Sequence, residues 1–179
     1  IRWETNGDGG DGFVLKFDMN GNFKMRIGGT PKGPDSNNKD GGINGTPTLY
    51  QPADMVVDPR TNRLYVADGY GNHRVVVFDA TGNYLRQWGS VAGTVVNPLT
   101  DSLGAFASGD GGHPHCVLIG NDGLVYVCDR ADDRIQVFSK TGVFQRVMAV
   151  VPGTGVTGSA PLNTAGSAWD FDFSNDNMQ

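Results

Sequence analysis

The 179 residues include 27 glycines, roughly twice ordinary usage, while 18% charged and 38% hydrophobic residues are both low for a soluble domain. Such a composition excludes a coiled coil or charged helical bundle, and no stretch reaches the ~20 apolar residues of a membrane helix. With 14 basic against 19 acidic residues the net charge is −5, which argues against a nucleic-acid surface.

The start, Ile1-Arg2-Trp3-Glu4, shows neither an initiator Met nor the charged and apolar regions of a signal peptide. Residues 13–28 read as two strands about Asn20-Gly21, the outer half of a four-stranded unit. A full unit is predicted over 52–88. Asp54–Asp58 turns through Pro59-Arg60-Thr61-Asn62 into Arg63–Asp68, and Arg74–Phe78 turns about Thr81-Gly82 toward Tyr84. The third unit, 114–148, repeats this with Cys116–Ile119, Leu124–Asp129 and Arg134–Phe138. Ser167-Ala168-Trp169-Asp170-Phe171-Asp172-Phe173 reads as the first strand of a further blade over 167–179.

Phe17, Phe78 and Phe138 recur at intervals of 61 and 60 residues, each followed by a turn glycine. Four short antiparallel strands in roughly 37 residues make a propeller blade, and no helical period appears. The predicted fold class is therefore all-β: a β-propeller of four-stranded blades. About three blade equivalents cannot close a ring, so the chain reads as a fragment of one partial propeller, or as a subunit that completes the ring by self-association. Long connections at 29–51, 89–113 and 149–166 are rich in Gly, Pro, Ser, Thr and Asn, and read as functional loops or plain flexible surface.

Up-and-down connectivity puts three segments on one face near the axis: Gly69–His73, Arg130–Asp133, and the entry His113-Pro114-His115. Tyr70, Arg130 and His115 thereby converge. Each has a bland alternative. Tyr70 could tie adjacent blades by packing, His115 could hydrogen-bond a neighbouring loop, and Arg130 could pair with Asp129, Asp132 or Asp133. Arg74 and Arg134 occupy one repeat position and are expected to pair with Asp68 and Asp129. His73 and His113 read as exposed loop residues. Asp8, Asp11 and the acidic stretch 35–40 lack the spacing of an EF-hand loop. Cys116 and Cys128 flank the Asn121-Asp122-Gly123 turn and are read either as a disulfide or as two small buried thiols.

The run Pro52-Ala53-Asp54, with Leu64-Tyr65-Val66-Ala67-Asp68-Gly69-Tyr70-Gly71-Asn72-His73-Arg74-Val75, resembles NHL-repeat propellers. More narrowly it resembles the peptidyl-α-hydroxyglycine α-amidating lyase branch, as do Pro114-His115-Cys116-Val117 and Val127-Cys128-Asp129-Arg130-Ala131-Asp132-Asp133-Arg134. That resemblance implies a six-bladed ring with an axial metal, usually zinc, and a structural calcium held by backbone carbonyls. It implies His115 as one of three metal histidines, Tyr70 as the base and Arg130 as the active-site arginine. The other two histidines would come from blades not represented here, since Ala53 and Trp169 stand at the equivalent positions. The implied reaction is metal-assisted C–N cleavage giving an amide and glyoxylate, on a peptide or small-molecule ligand at the loop face. The alternative is a non-catalytic NHL propeller that binds a protein or peptide partner. A periplasmic or extracellular location is the corresponding expectation.

Overall fold

A computed structural model describes residues 12–28, 49, 51–70, 72–90, 92, 95–106, 114–151 and 166–174. Ten strands run in chain order: β1 (Phe13–Phe17), β2 (Phe23–Gly28), β3 (Asp54–Val57), β4 (Leu64–Asp68), β5 (Arg74–Phe78), β6 (Tyr84–Trp88), β7 (Pro114–Ile119), β8 (Val125–Asp129), β9 (Arg134–Phe138) and β10 (Phe144–Ala149). β1 and β2 form a two-stranded sheet, while β3-β4-β5-β6 and β7-β8-β9-β10 are four-stranded antiparallel meanders. The innermost strands of the two full blades, β3 and β7, lie side by side.

The middle strands explain why blades must stack. β4, β5 and β8 are buried at every residue, with no apolar–polar alternation. A strand dry on both faces needs cover on each side: a neighbouring sheet, or, on the outer face of β8, residues Ala168, Phe171 and Phe173. Tyr65, Ala67, Val75 and Val77 of the second blade meet Val117, Val125, Val127 and Phe138 of the third. The opposite face, through Leu64, Val66, Val76 and Phe78, packs on Val14 and Ile27 of the half-blade. Each large apolar side chain so enclosed contributes about 1.5–3 kcal/mol.

Three hairpin turns repeat the same hydrogen bonds. Gly21 N–H donates to Asp18 O, Gly82 N–H to Asp79 O and Gly142 N–H to Ser139 O. The first side chain of each turn, Asp18, Asp79 or Ser139, then accepts two further backbone N–H groups. Asp18, Asp79 and Ser139 also donate their N–H to the carbonyls of Asn22, Asn83 and Val143, which closes longer loops rather than two-residue turns, with left-handed glycines at φ of 81°, 87° and 91°. At Gly142 a side chain is excluded twice over, because a Cβ would also lie 2.9 Å from the Trp88 ring.

Two expectations are corrected. Residues 166–174 form no strand, since a lone opening strand has no ladder partner among the described residues; 175–179 lie outside them. His73 is half-buried rather than exposed, because the buried Asn72 and Arg74 on either side draw its loop onto the blade. His113 falls outside the described residues.

The blades are also joined on the turn face. Lys140 Nζ reaches the buried Asp58 carboxylate at 2.7 Å. Burial alone would raise this carboxyl, but Lys140, the Thr61 hydroxyl and Arg60 N–H outweigh it and hold the value at about 2. A depressed carboxyl stabilises the fold above its unfolded value, 3.8, and loses that contribution as pH falls toward 2. Lys140→Met is therefore expected to lower urea-unfolding stability at pH 7 by about 1–3 kcal/mol. The deficit should shrink between pH 4 and 2, where the parent's own Asp58 becomes protonated.

Candidate functional site

Both full blades build their loop face on a buried ion pair. Arg74 Nε donates to Asp68 Oδ2 at 2.8 Å and Arg134 Nε to Asp129 Oδ2 at 2.7 Å, with all four side chains fully buried. Removing one member would strand a charge, at a cost of about 3–5 kcal/mol. Asn72 Nδ2 and Gln136 Nε2 donate to the same carboxylates. Arg134 also donates to the carbonyls of Pro98, Asp101, Ser102 and Ala105, and so ties the long connection after β6 to the third blade. The expected structural role of these arginines is observed. Asp132 shares Arg134 with Asp129; burial and the Asp129 charge push its carboxyl up to about 7.

With Arg134 occupying Asp129 and Asp132, Arg130 turns toward the second blade. Its Nη1 donates to the Tyr70 hydroxyl oxygen at 2.9 Å, and that hydroxyl lies 3.0 Å from His115 Nε2. His115 Nδ1 is 2.7 Å from the Trp169 carbonyl oxygen. A carbonyl only accepts, so Nδ1 carries the proton and Nε2 presents its lone pair to the Tyr70 O–H. The chain of donors runs from Arg130 to Tyr70 to His115 to Trp169 O. Desolvation is the main cause of a lowered His115 value, opposed by the Trp169 carbonyl and reinforced by the Arg130 charge.

Trp169 completes the enclosure. Its indole lies 4.0 Å from the Arg130 guanidinium carbon, and its ring meets the His115 ring edge-on at 5.3 Å. Arg130 is 4% exposed, Trp169 44%. Gly166 and Ser167 set that indole in place. A Cβ on Gly166 would sit 1.9 Å from the Arg130 carbonyl oxygen, and Asp133 Oδ1 accepts from both Ser167 N–H and Oγ–H.

The three residues singled out from sequence are thus brought together, Tyr70 and Arg130 from two loops and His115 from the start of β7. Two contributors were not legible there. Trp169 read as a residue of the expected opening strand at a position lacking histidine, and Asp54 as a strand residue of the repeat. The Asp54 carboxylate accepts the Val117 N–H at 2.9 Å across the blade junction, two residues from His115. Burial raises this carboxyl, against the hydrogen bonds it accepts. Neither role leaves a sequence signal, because each depends on the neighbouring blade.

The donor set does not by itself make the expected zinc site. Among the described residues no three His, Cys, Asp or Glu side chains converge, and a catalytic zinc takes about three protein ligands. His115 Nε2 is moreover engaged by Tyr70, so a metal at that atom would displace this hydrogen bond.

Stacked four-stranded meanders sharing one loop face define a β-propeller. Residues 49–78 match the model of the NHL repeat. A 97-residue stretch is 38% identical to the peptidyl-glycine alpha-amidating monooxygenase B of Xenopus laevis, covering 52% of this chain and 10% of that protein. Over 90 residues the chain is 34% identical to the Mus musculus peptidyl-glycine alpha-amidating monooxygenase, covering 49% of this chain and 8% of that one. A probable peptidyl-alpha-hydroxyglycine alpha-amidating lyase of Caenorhabditis elegans is also 34% identical over 90 residues, with 50% of this chain and 22% of the relative covered. The matched stretch is therefore a small part of each relative. Among solved structures, a catalytically inactive virginiamycin B lyase from Staphylococcus aureus with quinupristin superposes with a TM-score of 0.50 at 12% identity, over 81% of this chain and 37% of that one. That likeness concerns the fold.

The hydrogen-bond directions fix an observable. At pH 8, ring ¹⁵N shifts of His115 should show one neutral tautomer with Nδ1 protonated. Trp169→Phe keeps the carbonyl and should keep that pattern, whereas equal populations of both tautomers in the parent would contradict the assignment.

Proposed function

We propose that these blades belong to an NHL propeller that cleaves peptidyl-α-hydroxyglycine to a peptide amide and glyoxylate. The observation that carries the reading is the Arg130–Tyr70–His115 relay, built across two blades on the loop face. Similarity to two amidating monooxygenases and an amidating lyase supports the same reading.

The reaction breaks the C–N bond of the α-hydroxyglycine as its hydroxyl oxygen becomes the aldehyde oxygen of glyoxylate. One proton leaves that hydroxyl and one reaches the departing amide nitrogen, so the sum is neutral. Tyr70 is the proton acceptor. Its own proton is already directed at His115 Nε2, and Arg130 N–H stabilises the phenolate oxygen as charge develops. Arg130 is also suited to the substrate carboxylate, which Arg binds in bidentate fashion, once the guanidinium exchanges contacts it now makes for the ligand. Shielding by Trp169 strengthens both interactions by excluding water. A metal in this propeller would need ligands beyond the described residues, and metal counted per chain with and without His115→Ala tests for one. The Cys116–Cys128 bond suits a periplasmic or extracellular location.

The test is glyoxylate release by the full protein carrying this chain, supplied with N-acyl-α-hydroxyglycine peptides. Tyr70→Phe and Arg130→Met should each lower kcat/KM by about 10²-fold or more. Variants that turn over like the parent overturn the mechanism. Peptide binding without glyoxylate in the parent would instead mark a binding propeller.

A further inference from the structure

The strand that carries His115 is irregular at one place. In the β7–β8 ladder Pro114 pairs with Asp129 and Val117 with Val127, so His115 and Cys116 together oppose the single residue Cys128. The second-blade ladder, Asp54↔Ala67 to Val57↔Leu64, ends at the equivalent place, where the Ala53 N–H also donates to the Ala67 carbonyl, so Ala53 and Asp54 together oppose Ala67 in a bulge without a disulfide. Ala67 there stands in the place of Cys128. The two cysteines, separated by 4.9 Å between Cα atoms, are joined by a disulfide.

A bulge of this kind leaves one residue out of the ladder and re-aims its side chain. Here the residue is His115, which lies half-buried with both ring nitrogens engaged on the site. A one-residue change of register sends every affected side chain to the opposite face. Regular pairing would thus carry His115 away from Tyr70. We propose that the Cys116–Cys128 disulfide pins the β7 bulge and so aims His115 at Tyr70, which makes both cysteines positioning residues of the site.

Three observations agree with that role. Cys116 is 2% and Cys128 0% exposed, and they pack with Ala168, the residue before the one whose carbonyl receives His115 Nδ1. Cys128 lies two residues before Arg130, so a single bond links the strands bearing both ends of the relay. Asp54 holds the Val117 N–H immediately beyond the bulge, and thus fixes the ladder on its far side. Backbone pairing alone holds the bulge of the second blade, and it is the alternative that the experiment separates from the disulfide.

The experiment follows His115 ring ¹⁵N shifts at pH 8 in the full protein, with valine methyl signals of the second blade as the control for folding. No substrate is involved, so failure of the lyase reading leaves this test intact. Cys116→Ala with Cys128→Ala should replace the single Nδ1-protonated tautomer by an exchanging mixture, while Val66 and Val76 methyl signals stay in place. An unchanged His115 pattern with the bond absent overturns the proposal. If the variant does not fold, the parent is treated with a water-soluble phosphine, which splits the S–S bond to two thiols while the phosphine takes oxygen from water. Loss of the single tautomer in a folded, reduced protein supports the proposal. Global unfolding by both routes overturns it, since the bond would then hold the whole blade rather than the bulge.

Discussion

Strands β4, β5 and β8 are buried on both faces, and they stay dry only while each face of their blade is covered, by a neighbouring sheet or, outside β8, by the irregular segment 166–174. This demand orders everything else. It forces the second and third blades face to face through Tyr65, Val75, Val77, Val117, Val127 and Phe138, and sets β3 beside β7. The loop ends of those strands then have no choice but to meet. Tyr70 from one blade and His115 from the next come within 3.0 Å because the sheets beneath them are stacked.

Buried charge refines what stacking makes coarse. The repeated Arg–Asp pairs, Arg74 with Asp68 and Arg134 with Asp129, anchor the base of each loop. Because Arg134 satisfies Asp129 and Asp132, Arg130 directs its Nη1 to the Tyr70 hydroxyl. Two arginines four residues apart therefore have opposite duties. One is enclosed by carboxylates and loop carbonyls, while the other spans the blade junction under an indole.

Much of this was legible in the sequence because repeats expose themselves. Phe17, Phe78 and Phe138, each followed four residues on by a turn glycine, marked the hairpins. Tyr70, His115 and Arg130 could be placed on one face by connectivity alone. Other features were not legible. The segment beginning Ser167-Ala168-Trp169 has the sequence of a strand, yet a strand exists only through its ladder, and no described residue pairs with it. The packing of the Trp169 indole on Arg130 depends on Gly166 lying against the Arg130 carbonyl, a contact between distant segments. The bulge at His115, with its counterpart at Ala53, is likewise invisible, since an extra residue in a strand shows only when the strand is laid against its partner.

In the proposed function the hydrogen-bonded chain Arg130–Tyr70–His115 is a proton relay, with Arg130 meeting the substrate carboxylate and Tyr70 accepting the proton. A crystal structure of the full protein with a slowly cleaved N-acyl-α-hydroxyglycine analogue tests this most directly. The account predicts the ligand carboxylate on the Arg130 guanidinium and its hydroxyl within hydrogen-bond reach of the Tyr70 oxygen. An analogue bound on the turn face, or on the loop face with its carboxylate and hydroxyl away from both residues, would contradict it.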